Sequence, residues 1–523
     1  MRKCEVGVTQ ADPAWLQILG QERVNYQVWD KTYTEETPRV MIVNHPLTAE
    51  EAVGLRSYIE AGAGVLTDYV NLAKFVPEFK YAALEAIAYI EPETNPAFDG
   101  VGVIDLALPG FCSNQANLGR LDNQGAALYA QKLGNGFCIA LPFDVAAALR
   151  DQRRTLKAFF YDCPELPYEE VAVTTQQGVR RLVVNCLREL SRHAGVPYVH
   201  VWYYPKFKHT AFAFRVDGDF ANKDQLDKTI KLAAKHNLRF SWYLNTKAHR
   251  ALMSLFSDLG RQGHDIQLHC FEHKVFDDLE HNLGNLKAGL EIMHHAGFKP
   301  LGAVGPFGHW NEPLDQALEQ SGVKYSSEFC RAYDDFPFYP LLSSGVSKVM
   351  QIPVHPICFG RLLQAKLKPD AIAHYFAGHF NARYAGGETL FIYDHPHRIA
   401  ENATTFDAIF KLVSGAKDIW LTTLTEFFEW WVTRSSVEFE VLADKGILSV
   451  EAGYDIDQAL HIVDGDREAL VPMMGREFEP DEINWQPIRR KYPYKPEMLK
   501  AKKLGRHIWL REQVWKAGKL LHP

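Results

Sequence analysis

The chain has no run approaching eighteen uninterrupted apolar residues, which excludes a conventional transmembrane helix. The opening stretch, MRKCEVGVTQADPAW, lacks the apolar centre of a secretory signal, so a cytoplasmic address is expected. The eight cysteines, at positions 4, 112, 138, 163, 186, 270, 330 and 358, form no Cys-x-x-Cys pair. That spacing argues against a disulfide framework or a zinc ribbon and for reduced, mostly buried thiols. An excess of positive charge is also missing: the net charge is −7, which argues against a nucleic-acid binder. There is no internal repeat and no low-complexity segment. What remains is an ordinary globular composition, 47% hydrophobic and 23% charged over 523 residues, long enough for two or three domains.

The segment from His209 to His273 carries the densest chemistry. In HTAFAFRVDGDF an apolar run, Ala211 to Val216, ends on two acids, Asp217 and Asp219. In GHDIQLHCFEH a second run, Ile266 to Leu268, ends on His269 and His273. One carboxylate and two imidazoles can hold a divalent ion with a position left open, and the other carboxylate is then free to act as a base. Spacing of four places His269 and His273 on one face of a helix, with Cys270 pointing away. The string His-x-x-Glu-His also spells an inverted zinc-peptidase motif, with Glu272 as its base. That motif lies inside a helix, whereas GHDIQL reads as a strand entering a loop.

The order Asp-x-Asp, then Gly-His-Asp-Ile-x-x-His-x-x-x-His, resembles the NodB-homology domain of polysaccharide deacetylases, carbohydrate esterase family 4. The resemblance covers roughly residues 205 to 435. It implies a catalytic base at Asp217 and a metal site at Asp219, His269 and His273, with zinc as the expected ion. It implies a distorted (β/α) barrel with its site at the strand C-termini. The family's third motif, Arg-x-Pro-Tyr/Phe-Gly, is matched by Pro306-Phe307-Gly308, but Val304 stands at the arginine position. Arg215, Arg361 and Arg398 are candidates to replace that charge. The backbone near Phe307 is implied as an oxyanion donor. His395, closing TLFIYDH, is implied as the general acid, with His397 its competitor. Asp335, in YDDFPFYP, and His355, in IPVHP, are candidate additions to the site, as is Arg361. The implied reaction removes an N-acyl group, expected to be acetyl, from a carbohydrate such as a surface-glycan precursor. The alternative is a metal-binding protein without turnover, for which Val304 speaks.

The flanks read differently. Residues 1–195 alternate strand and helix, with a capping box at Thr48 and Glu51 and a helix over 176–194 ahead of a linker, GVPYVHVWYYP. This predicts a doubly wound, flavodoxin-like sheet that resembles the class I glutamine amidotransferase-like fold. Val65 and Leu66 lead into Thr67, Asp68 and Tyr69, with no cysteine where a nucleophile would stand; Cys112 is the one substitute. Residues 196–435 form the deacetylase-like domain. Residues 436–523 read as a small antiparallel β segment followed by a basic tail, whose Leu504, Ile508, Trp509, Trp515 and Leu520 share a helical face. The tail is expected to dock on the acidic body; contact with a membrane surface or a protein partner is its alternative.

Overall fold

The computed structural model describes residues 2–502 except 31, 35, 123, 124, 445 and 454, together with Leu510 and Val514. Mixed α/β architecture with parallel sheets runs through it. The N-terminal part is a nine-stranded sheet. Its first half is parallel: Tyr26–Val28, Val6–Val8, Val40–Ile42, Gly64–Asp68 and Gly136–Leu141 lie side by side in that order. Strand periodicity explains why both faces are covered. Val40 and Ile42 point into one apolar cluster with Trp15 and Leu182, whereas Met41 points into the other with Leu55 and Leu72. The capping box at Thr48 and Glu51 forms as expected, and the helix Gln176–Ala194 stops at Gly195, whose φ of +66° suits a left-handed cap.

The second half of this sheet departs from the expected alternation. Ala82–Glu91, Ile104–Cys112, Leu118–Leu121 and Gly125–Leu133 extend it antiparallel, without helical crossovers. Antiparallel neighbours need no helical crossover, so no amphipathic helix marks them in the sequence.

In the central part the parallel strands Asp265–Cys270, Ser241–Asn245, Thr210–Asp217 and Leu390–Asp394 are neighbours in that order. Ile419–Leu421 also pairs with Thr210–Phe212. Beyond Asp265–Cys270 the parallel path continues through single bridges, Leu268 to Ala303 and Gly302 to Tyr325, and through Tyr325–Ser326 beside Met350–Gln351. The His355 N–H then donates to the Phe391 carbonyl at 2.8 Å, which brings the hydrogen-bonded path back to Leu390–Asp394. An apolar cluster around Phe214, Trp242, Leu268 and Ile392 packs the helices onto these strands.

The linker expected at GVPYVHVWYYP is itself a strand, Tyr198–Val201, paired with Asp455–Asp464. Likewise Arg2–Lys3 pairs with Phe439–Asp444. The strands after residue 436 are antiparallel, as read from the sequence, but both of their sheets take a strand from elsewhere in the chain. Part of the basic tail docks: Arg490 reaches Glu189, Lys502 reaches Asp105, and Tyr494 donates to Glu91. The stripe of Leu504, Ile508, Trp509, Trp515 and Leu520 lies outside the described residues.

Candidate metal centre

Three strand ends and one turn assemble the site. Asp217 is the last residue of Thr210–Asp217, and Gly218 follows with its N–H bonded to the Tyr243 carbonyl at 2.8 Å. A side chain at 218 would collide there: a Cβ would lie 2.9 Å from the His249 ring and 3.0 Å from Tyr243 O. This close approach explains why a glycine separates the two acids. Asp219 then takes a φ of +43°, a conformation that short polar side chains tolerate.

Asp219 Oδ1 lies 2.9 Å from His273 Nε2 and 3.2 Å from His269 Nε2, and the two imidazole nitrogens are 3.2 Å apart. Ligands about 2.1 Å from one tetrahedral ion stand about 3.4 Å from each other. The donor set, two imidazoles and a carboxylate, is a zinc-type set. His269 sits in Asp265–Cys270, and its Nδ1 donates to the Val304 carbonyl at 2.9 Å, which leaves the Nε2 lone pair facing the other two ligands. Position 304 thus contributes its backbone. The valine side chain is buried in the core.

The helical geometry expected for His269 and His273 does not occur. His269 is the penultimate residue of its strand and His273 lies on a bend after it, so the chain doubles back to bring the rings together. The His273 ring packs against Phe307 at 4.9 Å and Phe220 at 5.5 Å. Phe307 itself sits in a turn with a φ of +63°.

Asp217 is buried and held in two hydrogen bonds by Arg215, at 2.7 Å and 2.6 Å. Burial acts to raise the Asp217 carboxyl, but the Arg215 charge and hydrogen bonds outweigh it and hold the group below the usual carboxylate range. Of the three arginines considered as substitutes, Arg215 is therefore the one that pairs with Asp217. Its Nη1 is fixed in turn by the Ser327 carbonyl and hydroxyl. Arg361 instead pairs with Glu169, and Arg398 lies beside Cys358 and His395.

Across from the acids, His395 follows the strand Leu390–Asp394 and its Nε2 is 3.4 Å from Asp219 Oδ2. His395 Nδ1 lies between Arg398 Nη1 at 3.2 Å and Asp394 Oδ1 at 3.6 Å, which leaves Nε2 facing Asp219. Burial lowers this imidazole, but Asp219 and Asp394 more than compensate and raise it. The buried Asp394 accepts the His395 and Phe359 N–H groups at 2.9 Å and 2.7 Å. Asp394 and His249 were not singled out in the sequence. The adjacency of Asp394 to His395 was the available signal for the first, and nothing in the spacing marks the second.

Two expected site residues lie elsewhere. Asp335 is buried in an ion pair with Arg180 at 2.7 Å. His355 bonds Asp334 and Tyr375, each at 2.9 Å. With His379 these form a second Asp-His-His group, whose two imidazoles are tilted at 36° with centroids 3.8 Å apart. Position near a strand end does not by itself fix which neighbour a side chain turns towards.

No protein-family model matches the chain. Among solved structures it is similar to a putative polysaccharide deacetylase from Mycobacterium smegmatis, with 17% identity, a TM-score of 0.39, and coverage of 44% of this chain and 92% of that one. A probable polysaccharide deacetylase from Pseudomonas aeruginosa gives 14% identity and a TM-score of 0.37, covering 43% and 92%. A carbohydrate esterase family 4 pseudoenzyme from Bacillus anthracis gives 11% and 0.29, covering 43% and 68%. These values are low, and the chemistry of the site stands on its own geometry. No helix among the described residues is long and apolar enough to cross a membrane.

Proposed function

We propose that the chain is a metal-dependent hydrolase that removes an N-acyl group, acetyl in the simplest case, from a carbohydrate such as a surface-glycan precursor. The observation that carries this reading is the convergence of Asp219, His269 and His273 beside an arginine-held Asp217, with His395 opposite. Asp219, His269 and His273 would hold a divalent ion, most simply zinc, which polarises an amide carbonyl and acidifies a water. Asp217, kept ionised by Arg215, takes the proton of the attacking water. His395 presents a proton at Nε2 to the departing amine. The turn at Phe307 is our candidate for the backbone that faces the developing oxyanion. In the same reading the central strands form a NodB-type distorted barrel, and the parallel N-terminal strands form a flavodoxin-like unit without a nucleophile.

Arg215 also bears on the alternative of a binding protein without turnover. Val304 motivated that alternative, and a guanidinium from the acid's own strand supplies the charge that Val304 lacks. The test is acetate release from N-acetylated sugars and short oligosaccharides by the zinc-loaded protein, with metal content measured on the same sample. One metal per chain with acetate release supports the reading. One metal per chain with no acetate from any of these substrates would favour the binding protein.

A further inference from the structure

A cavity of about 490 Å³ lies where three parts of the chain meet, away from the metal centre. The helix Gln176–Ala194 forms one wall. Arg181, Val184, Asn185 and Arg188 line it, and their spacing of three and four places them on one helical face. The opposite walls come from Trp202, Tyr203 and His209 before the central strands, and from Arg489 and Lys491 after the C-terminal ones. His209 precedes the eight-residue strand whose far end carries Asp217. At about 3.3 Å per residue the cavity is on the order of 25 Å from the acids.

The charges in this cavity are unevenly satisfied. Arg181 pairs with Glu388, and the two lining acids are engaged: Asp99 accepts the Lys491 N–H, and Glu468 pairs with His461 at 3.0 Å. Arg188 is different. Its Nε is buried without a hydrogen-bond partner, its guanidinium lies 5.4 Å over the Tyr198 ring, and no carboxylate among the described residues comes within ion-pair distance. Arg489 is exposed and likewise forms no ion pair among the described residues. Glu22 and Glu468 favour the Arg188 charge from beyond contact, so the guanidinium stays ionised with an Nε donor unused, and an anion is the natural complement. Trp202 and Tyr203, packed on each other at a centroid distance of 5.2 Å, form a rigid apolar floor beside these cations.

We propose that this cavity, about 490 Å³, binds a small phosphate ester, with the phosphate on Arg188 and Arg489 and the rest of the ligand filling the cavity above Trp202 and Tyr203. The proposal is independent of the hydrolytic reading. The experiment is calorimetric titration of the full chain with three probes: inorganic phosphate, a hexose 1-phosphate and a nucleoside monophosphate. At least one ester should bind more tightly than inorganic phosphate. Arg188→Met should weaken that ester at least about tenfold, the loss of one charge-assisted phosphate contact, and Arg188→Lys should restore part of the affinity. Arg489→Ala, at an exposed position, tests the same phosphate contact without touching the interior. Saturation by none of the three probes would overturn the proposal and mean that the cavity is a water-filled junction. Ester binding that survives both Arg188→Met and Arg489→Ala undiminished would overturn it equally.

Discussion

The pairing of Asp217 with Arg215 is the feature most open to quantitative attack. Asp217→Asn leaves the Arg215 guanidinium, itself 1% exposed, with only the Ser327 oxygens and an uncharged amide. Breaking a buried ion pair from one side costs about 3–5 kcal/mol, because the surviving charge has lost its complement. Arg215→Met strands the carboxylate instead, which can escape part of the cost by protonating. The double variant strands neither charge. It should therefore be more stable than the sum of the single losses by about 2–3 kcal/mol, the upper range for contacting residues. Urea unfolding of the four proteins at neutral pH gives that coupling directly. Metal content should persist in Asp217→Asn while acetate release is lost, since Asp217 is the base and no ligand. Single losses that add to within about 0.5 kcal/mol would mean that the pair carries no coupling and that Arg215 does not support the base.

Further outcomes follow from the same contacts. His273→Ala and Asp219→Asn should each lose bound metal and turnover together, checked by elemental analysis; undiminished metal in either would displace that residue from the ligand set. Glu388 lies among Arg180, Arg181 and Arg383, which overcome the upward effect of burial and pull its carboxyl from 4.5 down to about 2. Because the folded value is depressed, its contribution of about 3 kcal/mol is complete above pH 4.5 and lost as pH falls towards 2. Glu388→Gln should consequently destabilise the protein at pH 7 far more than at pH 3, and equal losses at both would refute the linkage. Cys112→Ala should leave acetate release unchanged, and no ammonia should be released from glutamine. Truncation before Arg489 removes the contacts to Glu189, Asp99, Glu91 and Asp105, so the melting temperature should fall; an unchanged value with lost binding to anionic vesicles would assign the tail to membranes instead.

Much of the site was legible because its residues close apolar runs. Asp217, His269 and His395 stand at or just past strand ends, and a strand buried on both faces announces itself as a short continuous hydrophobic stretch. The helix over 176–194 and the box at Thr48 were equally readable, since periodicity and capping are local. The amino-acid sequence by itself therefore determined the residue kit and its approximate location. Tertiary structure decided the partnerships. It gave Asp217 its arginine from two residues upstream, turned the carbonyl of Val304 towards His269, and drew Asp335 and His355 into other pairs. It also joined the first and last segments of the chain in one sheet. A hydrogen bond or ion pair depends on where two distant backbones meet, and pairings across more than four hundred residues leave no periodic trace in the sequence.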